Sequence, residues 1–379
     1  WCHGAGAYMT ALPFTRPGIG EAEIEAVREV LESGWITTGP KVQALEQALA
    51  GYVGGDVQMR AFNSATSALE AVLLVAGIGP GDEVIVPAIS FVATANAVVR
   101  VGARPVFVDV DLRTRNLDAD AVAGALTART RAVIPVHFAG LAVDMEALYR
   151  LADKHGLLLL EDAAQAIGTE YRGRKIGASG NPVCFSFHPN KNMTTIEGGA
   201  VACSDPGMLK RLEQVRFHGI LRDSNGHMDV PEWGGKMNLP DVHAAVGLVQ
   251  LARLDAFNRR RRELVQCYYR LLQESDVLVL PADDAGHSWH MFCVCVDHQA
   301  LGTSREAIQS RFSDQGIAAG IHYPAIHLFS LYRRMGYAEG DFPVAERIGS
   351  QTLTLPLFPA MQESDVEHVC DTLNSMLPG

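Results

Sequence analysis

Between residues 58 and 204 the chain keeps returning to short, largely apolar runs: QMRAFN, EVIVPA, RPVFVDVD, RAVIPVHFAG, LLLLED, VCFSFH and GAVACS. They are β-branched and apolar almost throughout rather than alternating with polar residues, as strands covered on both faces must be. Helical periodicity at 65–76, 92–101, 118–126 and 143–155 lies between the earlier runs. That βαβ order predicts an α/β protein built on a mainly parallel, doubly wound sheet of seven strands. A long helix from about 242 to 275 then leads to a second lobe, with a strand near 290–297, a helix near 304–315 and a last helix from about 363. The expected division is residues 1–11 as an extension or cloning remnant, 12–255 as the large domain and 256–379 as a smaller C-terminal α+β domain.

With 48% apolar and 20% charged residues, the 379-residue chain has the composition of a compact globular protein. Its formal net charge of -11 argues against a nucleic-acid or anionic-membrane partner, since both need a surplus of basic side chains. The basic run Arg259-Arg260-Arg261-Arg262 lies in the long helical stretch and reads as a solvated helix face. No apolar stretch approaches the roughly twenty residues of a membrane span, so a cytoplasmic location is expected. Seven cysteines without CxxC spacing imply no metal site, and Cys293 and Cys295 share one side of a strand, as buried thiols would. GIGPGD (77–82) follows a helix and precedes a strand, the reverse of a dinucleotide loop, and reads as a turn.

In a parallel α/β sheet ligands gather at the carboxyl ends of the strands. The polar residues there are Asn63, Ser64 and Thr66 after the first run, His137 in PVH, Asp162 and Gln165 after LLLL, and Ser186, His188 and Lys191 after VCF. Ser64 or Thr66 can cap a helix whose free amides and dipole attract a phosphate, although an ordinary N-cap looks the same. Asp162 ends a buried strand, where a carboxylate needs a cation unless it merely caps the next helix. Lys191 is one of six lysines; the other five lie on helix faces, in turns or outside the sheet. Lysine forms Schiff bases, and together with an upstream Asp, a phosphate-ready helix start and Ser186 it points to pyridoxal 5'-phosphate (PLP) as cofactor.

GWITTGP, SAT, PVHFAG, EDAAQAIG, SFHPNKNMTTIEGG, FHG and NLPD occur in this order, and with them the chain resembles the DegT/StrS family of PLP-dependent sugar aminotransferases from LPFTRPGIGEAEIEAV to LPLFPAMQESDVEHV. The opening LPFTRP and SGWITTGPK are most similar to the branch that aminates a UDP-linked 4-keto pentose (4-keto-arabinose) for lipid A modification. The resemblance implies the aspartate-aminotransferase fold (fold type I). It makes Lys191 the Schiff-base lysine and Asp162 the partner of the pyridine nitrogen, with Gln165 near the phenolic oxygen or phosphate. Phe91 would stack on the ring, and Ser64, Ala65, Thr66 and Ser186 would surround the phosphate. Asn238 would reach it from the neighbouring subunit of a homodimer. His188, beside the lysine, and Thr38, His322 and His327 fall where relatives line the substrate pocket. Glutamate and 2-oxoglutarate would be the donor pair and a nucleotide-linked keto sugar the acceptor. Other keto acceptors, or a non-catalytic PLP-fold regulator, stand as alternatives; PLP dehydratases of the family carry His where this chain has Lys191. Two departures stand out: Ile196 occupies a position that is Gly in many relatives, and Gln165 one that is His in the arabinose branch. Residues 221–236, LRDSNGHMDVPEWGGK, match no member well.

Overall fold

The computed structural model describes residues 12–378. Seven strands form the central sheet: β1 (Gln58–Phe62), β2 (Glu83–Pro87), β3 (Arg104–Val108), β4 (Thr130–Val133), β5 (Leu158–Leu159 and, past Leu160, Glu161–Asp162), β6 (Val183–Ser186) and β7 (Gly199–Cys203). Their order across the sheet is β3-β2-β4-β5-β6-β7-β1, with β5 continuous because the Leu160 amide bonds the Val133 carbonyl and the Asp162 amide the Pro135 carbonyl. Pairings from β3 to β6 are parallel, and β7 runs antiparallel to both neighbours. Antiparallel neighbours can be joined without a crossover helix, and the segment linking β6 to β7 is a loop that carries Lys191. Reversal of β7 also brings its first residue, Gly199, beside Ser186 and Phe62, so the start of one strand meets the ends of two others.

Helices cover both faces, with α1 (Glu21–Ser33) first in the chain and α5 (Ala119–Gly124) and α6 (Met145–His155) in one cluster with Ile85 and Val133 through Val122 and Leu148. α3 (Ala65–Val75), α4 (Ala93–Arg100) and α7 (Pro206–Val215) share one buried cluster through Leu69, Val72, Val98 and Leu212. α2 (Pro40–Val53) and α8 (Asp241–Leu271) close the other face with Leu45, Leu49 and Leu254. α8 is long enough to serve two cores: Leu254 packs under the sheet, whereas Leu264, Val265 and Tyr268 belong to a second cluster with Phe312, Val366 and Val369 from the C-terminal helices. The strand Phe292–Val296 is shared in the same way, because alternate side chains face opposite sides. Phe292, Val294 and Val296 join the C-terminal cluster, and Cys293 and Cys295 the sheet cluster. The six described cysteines are buried and free. No helix among the described residues is long and apolar enough to cross a membrane.

Candidate active site

The ends of β1, β2, β5 and β6 surround a cavity of about 390 Å³, within the usual size of a small-molecule site. Ser64 is the N-cap of α3, its Oγ accepting the Ser67 amide at 3.1 Å. The amides of Ala65 and Thr66 lie in the first turn and have no preceding helical carbonyl to bond; both residues line the cavity, and Ser186 lines it too. The helix start sits so close over β7 that a Cβ on Gly199 would lie 2.5 Å from the Ala65 nitrogen. Only a residue without a side chain leaves that cradle open.

Asp162 is buried at the tip of β5. Its Oδ2 accepts the Thr94 hydroxyl at 2.7 Å and its Oδ1 the Ala164 amide at 3.1 Å. Burial pushes this carboxyl up from its ordinary value, against the Thr94 and Ala164 hydrogen bonds and the Lys191 cation. Strand alternation turns Glu161 to the far side. There His137 follows it, with Nε2 3.1 Å from Glu161 Oε2, so His137 leaves the set of strand-end residues that meet at the cavity. Asn63 also stays out of it, its amide donating to the Lys236 carbonyl. A second concavity of about 400 Å³ opens over Glu161 and Tyr149, but His137, Tyr149 and Ser179 already bond that carboxylate.

Lys191 reaches the cavity from the β6–β7 loop, Nζ lying 3.4 Å from His290 Nε2. Burial lowers its ammonium from 10.5 to about 8, against the pull of Asp162 in the opposite direction. His290 is driven far below the ordinary histidine value by burial and by the Lys191 and Arg261 cations, so it is neutral. Phe91, 53% exposed as a residue, lines the cavity with its ring 5.7 Å from that of Tyr323. Gln165 lines it too, and because its Oε1 accepts the Ala139 amide at 2.8 Å, its NH2 remains as the donor. His188 is at the rim with Nδ1 2.8 Å from Asn190 Oδ1, and His322 is opposite, Nδ1 3.0 Å from Thr354 Oγ1. Burial and the Lys191 and Arg115 cations hold His322 down at about 4.

Three further expected residues, besides His137 and Asn63, are not at this cavity. His327 is fully buried with Nε2 2.9 Å from Glu346 Oε1. Thr38 and Asn238 bond each other, and Thr38 also donates to the Leu239 carbonyl at 2.6 Å, away from the cavity of their own chain. Ile196 has φ +72°, a region glycine favours, which explains why glycine suits that position; the β-branched side chain there carries a strain of about 1–2 kcal/mol. Residues that sequence reasoning did not single out are Ser90, Thr94, Tyr323 and His290. Thr94 follows Phe91 by three positions and could have been found as the next polar residue at that strand end. His290 had no such signal, lying about one hundred residues from Lys191 in the chain.

The residues present fit a phosphorylated pyridine aldehyde: an amine that is half neutral near pH 8, a buried carboxylate with no cation bonded to it, free helix-start amides, and an exposed aromatic face. The pattern of the DegT/DnrJ/EryC1/StrS aminotransferase family matches residues 17–374. The chain belongs to that family. Among solved structures of similar proteins, Spr1654 from Streptococcus pneumoniae in its PMP form is 32% identical with a TM-score of 0.90, over 96% of this chain and 98% of that one. DesV from S. venezuelae, in complex with a ketimine intermediate, is 37% identical with a TM-score of 0.87, over 93% of each chain. The sugar aminotransferase CalS13 from Micromonospora echinospora is 30% identical with a TM-score of 0.87, over 96% of this chain and 99% of that one. This DegT/DnrJ/EryC1/StrS member is thus a PLP-dependent transaminase of fold type I.

Proposed function

We propose that the protein transfers an amino group from glutamate to the keto carbon of a nucleotide-linked sugar, a UDP-linked 4-keto sugar such as UDP-4-keto-arabinose, and that it does so as a homodimer. The observation that carries the chemistry is the convergence of Lys191, Asp162 and the start of α3 on one cavity. Bound PLP supplies an aldehyde that exchanges amines and a ring that takes up the electrons left when a neighbouring carbon loses its proton. Lys191 is the residue that moves that proton. With its ammonium lowered to about 8, half of it is the neutral base at pH 8, against about one part in 300 for an ordinary lysine. Asp162 holds a proton on the pyridine nitrogen: an anion at about 4 Å, at an effective dielectric near 20, favours the protonated ring by about 4 kcal/mol, or roughly three pKa units. The Ala65 and Thr66 amides, Ser64 and Ser186 would hold the phosphate, Phe91 would cover the ring, and the Gln165 NH2 would serve the phenolic oxygen or the phosphate. His188 and His322 meet the sugar at the rim. The lowered value of His322 keeps it neutral, able to hydrogen-bond a hydroxyl without adding charge.

The sugar acceptor is supported by the sugar aminotransferase CalS13, similar over nearly its whole length, and by the opening motifs shared with the arabinose branch. The dimer is supported by exposed apolar side chains, among them Trp35, Ile36, Phe217, Met228 and Trp233, and by the position of Thr38 and Asn238, which touch each other off the cavity of their own chain and would enter the site of a second copy. The test is spectroscopic. Glutamate alone lowers the visible absorbance of the PLP-loaded protein, and among a panel of 4-keto and 3-keto nucleotide sugars the UDP-linked 4-keto sugar restores it. Recovery only with an acceptor lacking the nucleotide refutes the substrate class, and no response to glutamate refutes the donor.

A further inference from the structure

Asp162 is braced by a pair of buried hydroxyls that the reaction above leaves without a role. Ser90 and Thr94 lie where the chain passes from β2 into α4, and both are buried. Thr94 Oγ1 has three neighbours: Asp162 Oδ2 at 2.7 Å, Ser90 Oγ at 3.0 Å and the Phe91 carbonyl at 3.2 Å. A hydroxyl has one proton to donate. A carboxylate makes the shorter and stronger bond, roughly twice that of a neutral acceptor, so the proton points to Asp162 and Ser90 donates to the Thr94 oxygen. The Phe91 carbonyl is still served by the Thr94 amide, at 3.3 Å. Every group in the chain is then satisfied with Asp162 ionised, and each bond polarises the next toward the carboxylate.

A proton placed on Oδ2 reverses the row, since Asp162 then donates to Thr94. Burial works toward that protonated form; the Thr94 hydroxyl is the foremost group opposing it, ahead of the Ala164 amide, Lys191 and His137. Tyr323 and Cys184 also face the carboxylate, and both are held neutral by burial. The Thr94 bond thus fixes the orientation of one carboxylate oxygen from the same turn that positions Phe91 at the cavity.

We propose that Thr94, backed by Ser90, is a positioning residue for the cofactor ring: its hydroxyl holds Asp162 as an ionised acceptor aimed at the protonated ring nitrogen. This rests on the assignment of Asp162 to that nitrogen. The experiment measures equilibrium binding to cofactor-free protein of PLP and of its 1-deaza analogue, in which carbon replaces the ring nitrogen. Thr94→Val should bind PLP about tenfold more weakly, the scale of one hydrogen bond to a charged group, while its affinity for the deaza analogue stays within about twofold of wild type on the same scale. Thr94→Ser should restore wild-type preference for PLP, and Ser90→Ala should lose part of it. Equal weakening toward both ligands in Thr94→Val, or failure of Thr94→Ser to restore the preference, overturns the proposal, because the residue then acts by packing alone. Asp162→Ala separates the two readings. If it abolishes the preference for PLP and Thr94→Val does not, the Thr94 proposal alone fails; if it leaves the preference intact, the assignment of Asp162 fails with it. Should Thr94→Val not fold, Thr94→Ser and Ser90→Ala decide: wild-type preference in both overturns the proposal, and a partial loss in Ser90→Ala supports it.

Discussion

Replacing Gly199 by alanine places a methyl carbon 2.5 Å from the Ala65 amide nitrogen, 2.6 Å from the Ser64 carbonyl carbon and 2.8 Å from the Phe185 carbonyl oxygen. All three are backbone atoms, so no side chain can swing aside. Side-chain carbons are essentially never found closer than 3.0 Å, and the start of α3 must therefore retreat from β7 by at least the missing 0.5 Å. Strand β7 cannot take up the shift easily, being paired on both sides. Overpacking of this kind costs about 1–3 kcal/mol of stability. The functional effect should be larger. A hydrogen bond from the Ala65 or Thr66 amide to a phosphate oxygen, near 2.9 Å at its best, would stretch to about 3.4 Å and be largely lost. One bond to a charged group is worth about 1.5–3 kcal/mol, so PLP affinity should fall about 10- to 150-fold per bond. Denaturant unfolding of the cofactor-free protein reads the first effect and equilibrium PLP binding the second. Gly51→Ala is the control. That position is in α2 with open space around its Cβ, and the change should be neutral or stabilising by up to about 1 kcal/mol. If Gly199→Ala binds PLP as wild type does, the start of α3 is not the phosphate cradle, and if Gly51→Ala weakens binding equally, the loss is not specific to that contact.

Two further predictions concern Lys191 and the shared site. In cofactor-free protein, amine-selective labelling of Lys191, followed by peptide mass, should rise with pH around a midpoint near 8, because burial releases the proton early; a midpoint near 10.5, the ordinary value, would mean that the amine is solvated. Lys191→Ala and Asn238→Ala proteins should each be inactive as homodimers. Mixing them under subunit exchange should restore activity in the mixed dimers, one site of which draws Lys191 from one chain and Asn238 from the other. No recovery would place Asn238 in the site of its own chain or outside both.

The sheet strands could be read from residue type alone because strands covered on both faces are apolar at nearly every central position, with polar residues such as Gln58, Arg104 and Arg131 near their starts, and that signal is local. The helices between them were equally visible, with the expected start at 65 matching α3. Lys191, Asp162, Ser186 and the α3 start were found as candidates because parallel strands send their carboxyl ends to one edge. The sequence could not reveal which polar strand-end residues turn inward. His137 and Asp162 both end strands, and only the pairing of β4 with β5 sends one to Glu161 and the other to the cavity.

Distance in the chain marks the limit of that reading. Residue types and their spacing determined the layered α/β architecture, the strand-end candidates and the membership in an aminotransferase family, all of which depend on neighbours within a few turns or on short motifs. Tertiary packing alone decided the rest. It brought His290, about one hundred residues further along the chain, to within 3.4 Å of Lys191, buried His327 against Glu346, and set Gly199 under α3. Those contacts arise where separate segments meet, and their energies depend on burial and on sub-ångström separations that a one-dimensional pattern does not encode.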